Sequence, residues 1–173
     1  MTGLMVIGVD PGLSGAIAGV LDGDLKWVVD MPVAANEVAV PLLNELYDPD
    51  EYGPWHTTTE SVVAVERVGS MPKQGVSSTF KFGKAYGTVL GYFGGRHRVI
   101  HVTPQQWKKT FTLGGKDKEA GRLLALERWP HMADRFGRKK DHGRAEAALI
   151  AVHADQLLAV ERAEARGSNG VSV

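Results

Sequence analysis

The chain has 173 residues, 43% hydrophobic and 23% charged, with twenty acidic side chains against twenty basic ones and no cysteine. Zero cysteine excludes disulfides, thiol nucleophiles and thiolate metal sites, and the composition is that of an ordinary globular protein for which one domain is expected. No apolar run approaches the ~20 residues of a membrane span and the N-terminus runs directly into a strand pattern, so the expectation is a cytoplasmic protein with no signal segment and no membrane association.

In chain order, Leu4-Met5-Val6-Ile7-Gly8-Val9 reads as a buried strand that delivers Asp10 to its C-terminal end, where Pro11-Gly12 stops it. Taken alone, Asp10 is as well explained as a turn residue. Leu13 to Val20 suits a second strand, Asp22-Gly23 a tight turn and Leu25 to Met31 a third strand, which together predict an antiparallel meander. Glu37 to Tyr47 has the apolar spacing of a short helix interrupted early by Pro41, and 48–59 reads as a loop or insertion. Ser61 to Val65 repeats the opening pattern, an apolar strand that ends on a carboxylate, Glu66. Two strands each ending on an acid point to one shared acidic site.

Residues 69–80 read as a loop running into a helix that carries Phe82, Tyr86, Val89 and Phe93. Gly83, Gly87 and Gly91 recur there at every fourth position. They cost about 1 kcal/mol each against alanine, which implies close packing by a neighbouring helix or a second subunit. Arg98 to Val102 is the fifth strand. Thr103-Pro104-Gln105-Gln106 has the form of a capped helix start leading into Trp107-Lys108-Lys109. A helix is expected over 120–129, and a last helix from Asp141 to about Ala165. This places one domain over 1–166 and a tail over 167–173.

The charge is unevenly distributed. Residues 1–66 hold eleven acids and one base, whereas residues 67–116 hold nine bases and no acid. A fifty-residue block without a single carboxylate suits a polyanionic partner.

Asp10, Glu66, Asp141 and Glu146 would together make an oxygen-rich pocket. His142, four residues before Glu146, shares its helix face, while Asp141 reaches that face only if the helix starts after it. Oxygen donors without cysteine favour Mg²⁺ or Mn²⁺. Such a pocket suits two-metal phosphodiester hydrolysis, in which ions about 3.5 to 4 Å apart activate water and stabilise the leaving oxygen.

Five segments, in order, resemble RuvC-type Holliday-junction resolvases, especially phage-type members. They are Gly8-Val9-Asp10-Pro11-Gly12, Ala64-Val65-Glu66, Gln74 to Gly83, Val102-Thr103-Pro104-Gln105-Gln106-Trp107-Lys108-Lys109, and Asp141-His142-Gly143-Arg144-Ala145-Glu146-Ala147. The resemblance spans residues 4 to 155. It implies an α/β, RNase H-like fold: a five-stranded mixed sheet, made of a three-strand antiparallel meander plus two parallel strands, flanked by helices. By the same resemblance Asp10, Glu66 and Glu146 are metal-binding acids. The position where the family keeps a further acid or histidine, three residues before the last acid, is Gly143; the fourth ligand is then Asp141, with His142 second as ligand or general acid/base. The aromatic wedge of some members is replaced by Gly69, which leaves Met71 or another loop residue for that role. The resemblance further implies a homodimer that nicks strands of like polarity across a four-way DNA junction, with the glycine-spaced helix as part of its interface. Phosphate contacts are expected from Arg67, Lys73, Lys81 and Lys84, with Gln74 beside them, and from Lys108, Lys109, Lys116 and Arg144.

Three other functions stay open on the sequence. A less selective RNase H-like nuclease would use the same acids. A junction-binding protein without catalysis would use the same basic block. An ATP-using phosphotransferase of the actin-like fold shares Asp10-Pro11-Gly12, but it needs a second glycine-rich phosphate loop.

Overall fold

The structure, a computed structural model, describes residues 4–46, 60–67, 69, 75–115 and 117–168. The N-terminal run forms β1 (Met5–Asp10), β2 (Ala16–Leu21) and β3 (Asp24–Asp30), paired antiparallel in succession. Asp22 and Gly23 turn β2 into β3 at φ 52° and 79°, left-handed values that these residues tolerate. A small hairpin follows that the sequence did not announce, β4 (Val33–Ala34) with β5 (Glu37–Val38). Its turn places Ala35 and Asn36 at φ 51° and 60°, and alanine gives no turn signal. The expected helix therefore starts later, as α1 (Val40–Leu46). Pro41 sits in its first turn, where a missing N–H costs no hydrogen bond, so it opens the helix instead of interrupting it.

β6 (Ser61–Glu66) pairs parallel with β1, and β7 (Arg98–Val102) pairs parallel with β6. The connection between these last two contains α2 (Val76–Gly94). The sheet order is β3-β2-β1-β6-β7, the mixed five-stranded sheet that was expected, with β1 at its centre. After it come α3 (Pro104–Thr110), α4 (Lys118–Arg128), a 3-10 turn, α5 (Ala133–Phe136), a second 3-10 turn (Lys139–Asp141) and α6 (His142–Ser168). The expected loop over 48–59 and the end of the expected tail lie outside the described residues. No helix among the described residues is long and apolar enough to cross a membrane.

Strand alternation divides the core in two. Met5, Ile7 and Val9 of β1 join Val63 and Val65 of β6 and Ala85, Val89 and Phe93 of α2 on one face. Val6 of β1 joins Val62 and Ala64 of β6 and the alanines of α6 on the other. Each large aliphatic side chain so buried contributes about 1.5–3 kcal/mol. The α6 face is unusually tight: a Cβ at Gly8 would lie 2.2 Å from the Ala147 carbonyl oxygen and 2.5 Å from the Ala151 nitrogen. Only glycine at position 8 lets α6 lie this close to β1.

The spaced glycines of α2 behave differently. Apart from the helix's own backbone, no heavy atom of the described residues stands within 4 Å of where a Cβ would be at Gly83, Gly87 or Gly91. Among the described residues of this chain, nothing supplies the close packing expected there.

Candidate active site

The period of two along a strand places Asp10 on the same side of β1 as Val6 and Gly8, and Glu66 on the same side of β6 as Val62 and Ala64. That is the α6 side. Pairing ends with Val9 opposite Val65, so Asp10 and Glu66 leave neighbouring parallel strands at the same edge. α6 crosses at Gly8 against Ala147, which brings the preceding residue, Glu146, to that edge. The three acids, from three distant parts of the chain, line one cleft of about 1090 Å³ together with His142. Ser14, Arg67, Gly69, Phe82 and Lys108 are also in its walls. That is at the upper end of the roughly 300–1,000 Å³ of small-molecule pockets.

The acids sense one another. Burial pushes the Glu66 carboxyl up to about 7, the nearby carboxylates of Asp10 and Glu146 push in the same direction, and a hydrogen bond from Trp107 and the charge of Lys108 oppose them. The Trp107 indole Nε1–H donates to Glu66 Oε1 at 2.8 Å in a buried contact. Asp10 Oδ1 accepts from the Gly12 backbone N–H at 3.3 Å, which orients it within the turn after β1.

Of the two residues expected as fourth ligand, Asp141 is paired with Arg138, whereas His142 lines the acid cleft. Asp141 is 2% exposed. It belongs to the 3-10 turn before α6, not to that helix. Its oxygens accept from the Arg138 backbone N–H at 2.8 Å and from the Arg138 guanidinium at 2.8 to 3.2 Å. Burial raises its carboxyl, but the Arg138 hydrogen bonds outweigh that and hold it below the usual range. His142 is the first residue of α6 and faces the acid cleft.

The predicted phosphate contacts divide in the same way. Lys108 lines the cleft and, with Lys109, an adjoining depression that also contains Pro104, Gln105 and Thr112. Arg67 lines the cleft as well, and Lys81 and Lys84 line a neighbouring hollow beside Leu13. Lys84, however, is paired with Glu37. Arg144 is committed to Asp30 by two hydrogen bonds of 2.6 Å, which makes it a strap between α6 and the end of β3. Lys73, Gln74, Lys116 and Met71 lie outside the described residues.

Trp107 and Phe82 are site residues that the sequence placed on helices without assigning them to the acids. For Trp107 a signal existed. A tryptophan one turn into a capped helix, directly after a strand that neighbours the Glu66 strand, has a buried N–H that must find an acceptor.

As the side chains stand, no group of three or more His, Asp or Glu among the described residues is gathered at metal-ligating spacing. The fit to a divalent cation therefore lies in donor chemistry and facing: three carboxylates and an imidazole around one cleft.

Comparison with protein-family models gives no match, and comparison with curated proteins gives none. Among solved structures, the chain is similar to Thermus thermophilus RuvC in complex with Holliday junction substrate, at 23% identity over 86% of this chain and 91% of that one, with a TM-score of 0.46. It is also similar to a second Thermus thermophilus RuvC structure, at 23% identity over 86% and 92% of the two chains, with a TM-score of 0.47.

Proposed function

We propose that this chain is a divalent-metal-dependent endonuclease that resolves four-way DNA junctions by paired nicks, working in the cytoplasm as a homodimer with one site per subunit and a single nuclease domain over 1–166. The observation that carries this reading is the convergence of Asp10, Glu66, Glu146 and His142 on one cleft whose walls continue into Arg67, Lys108 and Lys109. The five sequence motifs that resemble RuvC-type resolvases supply the substrate class.

Asp10, Glu66 and Glu146 would hold Mg²⁺ or Mn²⁺, two ions per site, and His142 takes the remaining place as ligand or general acid/base. Bound there, the ions would supply an activated water and charge stabilisation for the leaving 3′ oxygen. The protein's own contribution is positional. Lys108 and Arg67 hold a phosphate against the acids, and Lys109 extends the cationic track along the backbone without reading sequence. The open glycine face of α2, flanked by Val76 at 88% and Phe80 at 72% exposure, supports the homodimer, because a second copy would recover the glycine cost by close approach.

The test is nicking of a mobile and a fixed four-way junction, a linear duplex, a flap and an RNA–DNA hybrid, each with Mg²⁺, Mn²⁺ or EDTA. Junction-selective, metal-dependent nicking is expected. Equal cleavage of all substrates would replace the reading with a less selective nuclease, binding without any nick with a non-catalytic junction binder, and ATP turnover without DNA with a phosphotransferase.

A further inference from the structure

Trp107 is 1% exposed and Glu66 8%, and they are joined by the indole hydrogen bond to Oε1. The indole is held from both ends of α3. At the start, Thr103 caps the helix, its hydroxyl accepting from the Gln106 backbone N–H while Gln106 reaches back to the Thr103 N–H, with Pro104 opening the first turn. At the far end, Thr110 Oγ1 and His153 Nδ1 lie 2.7 Å apart, which ties α3 to the helix that carries Glu146.

The chemistry of the donor matters more than its bulk. An indole has one N–H, no acceptor and no charge. It can engage one carboxylate oxygen and leaves the second uncommitted. A lysine or arginine at this place would neutralise Glu66 and repel a cation; an apolar side chain would leave the carboxylate free to swing and compound its burial cost. Packing alone accounts for a large side chain here, since Trp107 belongs to the core on the α6 face. It does not account for the pairing of its N–H with a buried carboxylate that lines the acid cleft.

Resting on the nuclease reading above, we infer that Trp107 is a positioning residue that commits Glu66 Oε1 to the protein and reserves Oε2 for the divalent cation, so that Glu66 serves as a one-oxygen ligand. Partners of this kind behind a metal ligand are worth 10–100-fold in metal affinity.

The experiment is Mn²⁺ titration of the full chain, following the free-ion paramagnetic resonance signal, without DNA. It compares wild type, Trp107→Phe, and a chain carrying at position 107 the benzothiophene analogue of tryptophan, which keeps the shape and replaces the N–H by sulfur. Trp129→Phe is the packing control, because Trp129 is buried in the same core. Both position-107 changes are expected to weaken Mn²⁺ binding by about 10-fold or more, while Trp129→Phe lowers the melting temperature and leaves Mn²⁺ affinity alone. The chain has four tryptophans, and the one indole N–H resonance missing in Trp107→Phe should move when Mg²⁺ is added to wild type. Unchanged affinity in the benzothiophene chain, or equal weakening in Trp129→Phe, would overturn the positioning role and leave the nuclease reading standing. Failure of wild type to bind Mn²⁺ at all would overturn both.

Discussion

Gly143 rests on the backbone of Ser14: a Cβ at position 143 would stand 2.5 Å from the Ser14 carbonyl oxygen and 3.2 Å from the Gly15 Cα. The position where the resembled family keeps an acid or histidine thus has no room for any side chain here. The first turn of α6 packs directly on the loop after β1, and the neighbouring His142 lines the cleft. Because the obstacle is backbone, Gly143→Ala should destabilise by about 1–3 kcal/mol, and Gly143→Asp by at least as much, without gaining activity. Thermal melting with cleavage assayed well below the midpoint checks both.

His142 and Asp141 should separate cleanly. His142→Ala is expected to lose most cleavage with little change in melting temperature. Asp141→Asn should do the reverse, losing about 1–2 kcal/mol as its contacts with the half-exposed Arg138 weaken, with cleavage retained in the cold. Since Asp141 is held below its ordinary value, its contribution is fully present above the unfolded carboxylate range near pH ~4 and is lost as pH falls from there through the lower folded value. Loss of cleavage in Asp141→Asn at full stability would restore it to the site.

Glu66 predicts the opposite slope. Its carboxyl is raised to about 7 in the folded chain, so the folded state binds the extra proton, and stability in chelator should fall as pH rises from the ordinary carboxylate range towards 7. Glu66→Gln removes the ionisation and should flatten that slope and raise the melting temperature at pH 8. Melts in EDTA across pH 5 to 8 measure both; an unchanged slope in the variant would assign the pH dependence elsewhere.

Junction affinity should fall steeply with salt, and Lys108→Ala or Lys109→Ala should each reduce the slope of log affinity against log salt by about 0.9. Arg144→Ala should act chiefly on stability, because its charge is already spent on Asp30. A flat salt response in wild type would remove the electrostatic basis for the nucleic-acid track.

These contrasts also mark what the sequence could disclose. The five strands and the caps of α3 were legible because periodicity and turn chemistry are local: Asp22-Gly23 announces its hairpin, and Thr103 with Gln106 announces its cap. That Asp10 and Glu66 come to one edge of the sheet was legible too, since both end apolar strands. The β4 and β5 hairpin was not, because its turn uses alanine in a left-handed conformation. The choice between Asp141 and His142 was also hidden. It involves where α6 begins to one residue and the close contact of Gly143 with Ser14, a relation between distant parts of the chain that no local pattern carries.

The most direct measurement is nicking of a four-way junction by Asp10→Asn beside wild type in Mg²⁺, with junction binding measured in parallel. The variant is expected to bind the junction as tightly as wild type, melt at a similar temperature and make no nick. Nicking by Asp10→Asn at the wild-type rate would contradict this expectation, because the carboxylate at the end of β1 would then have no part in the chemistry.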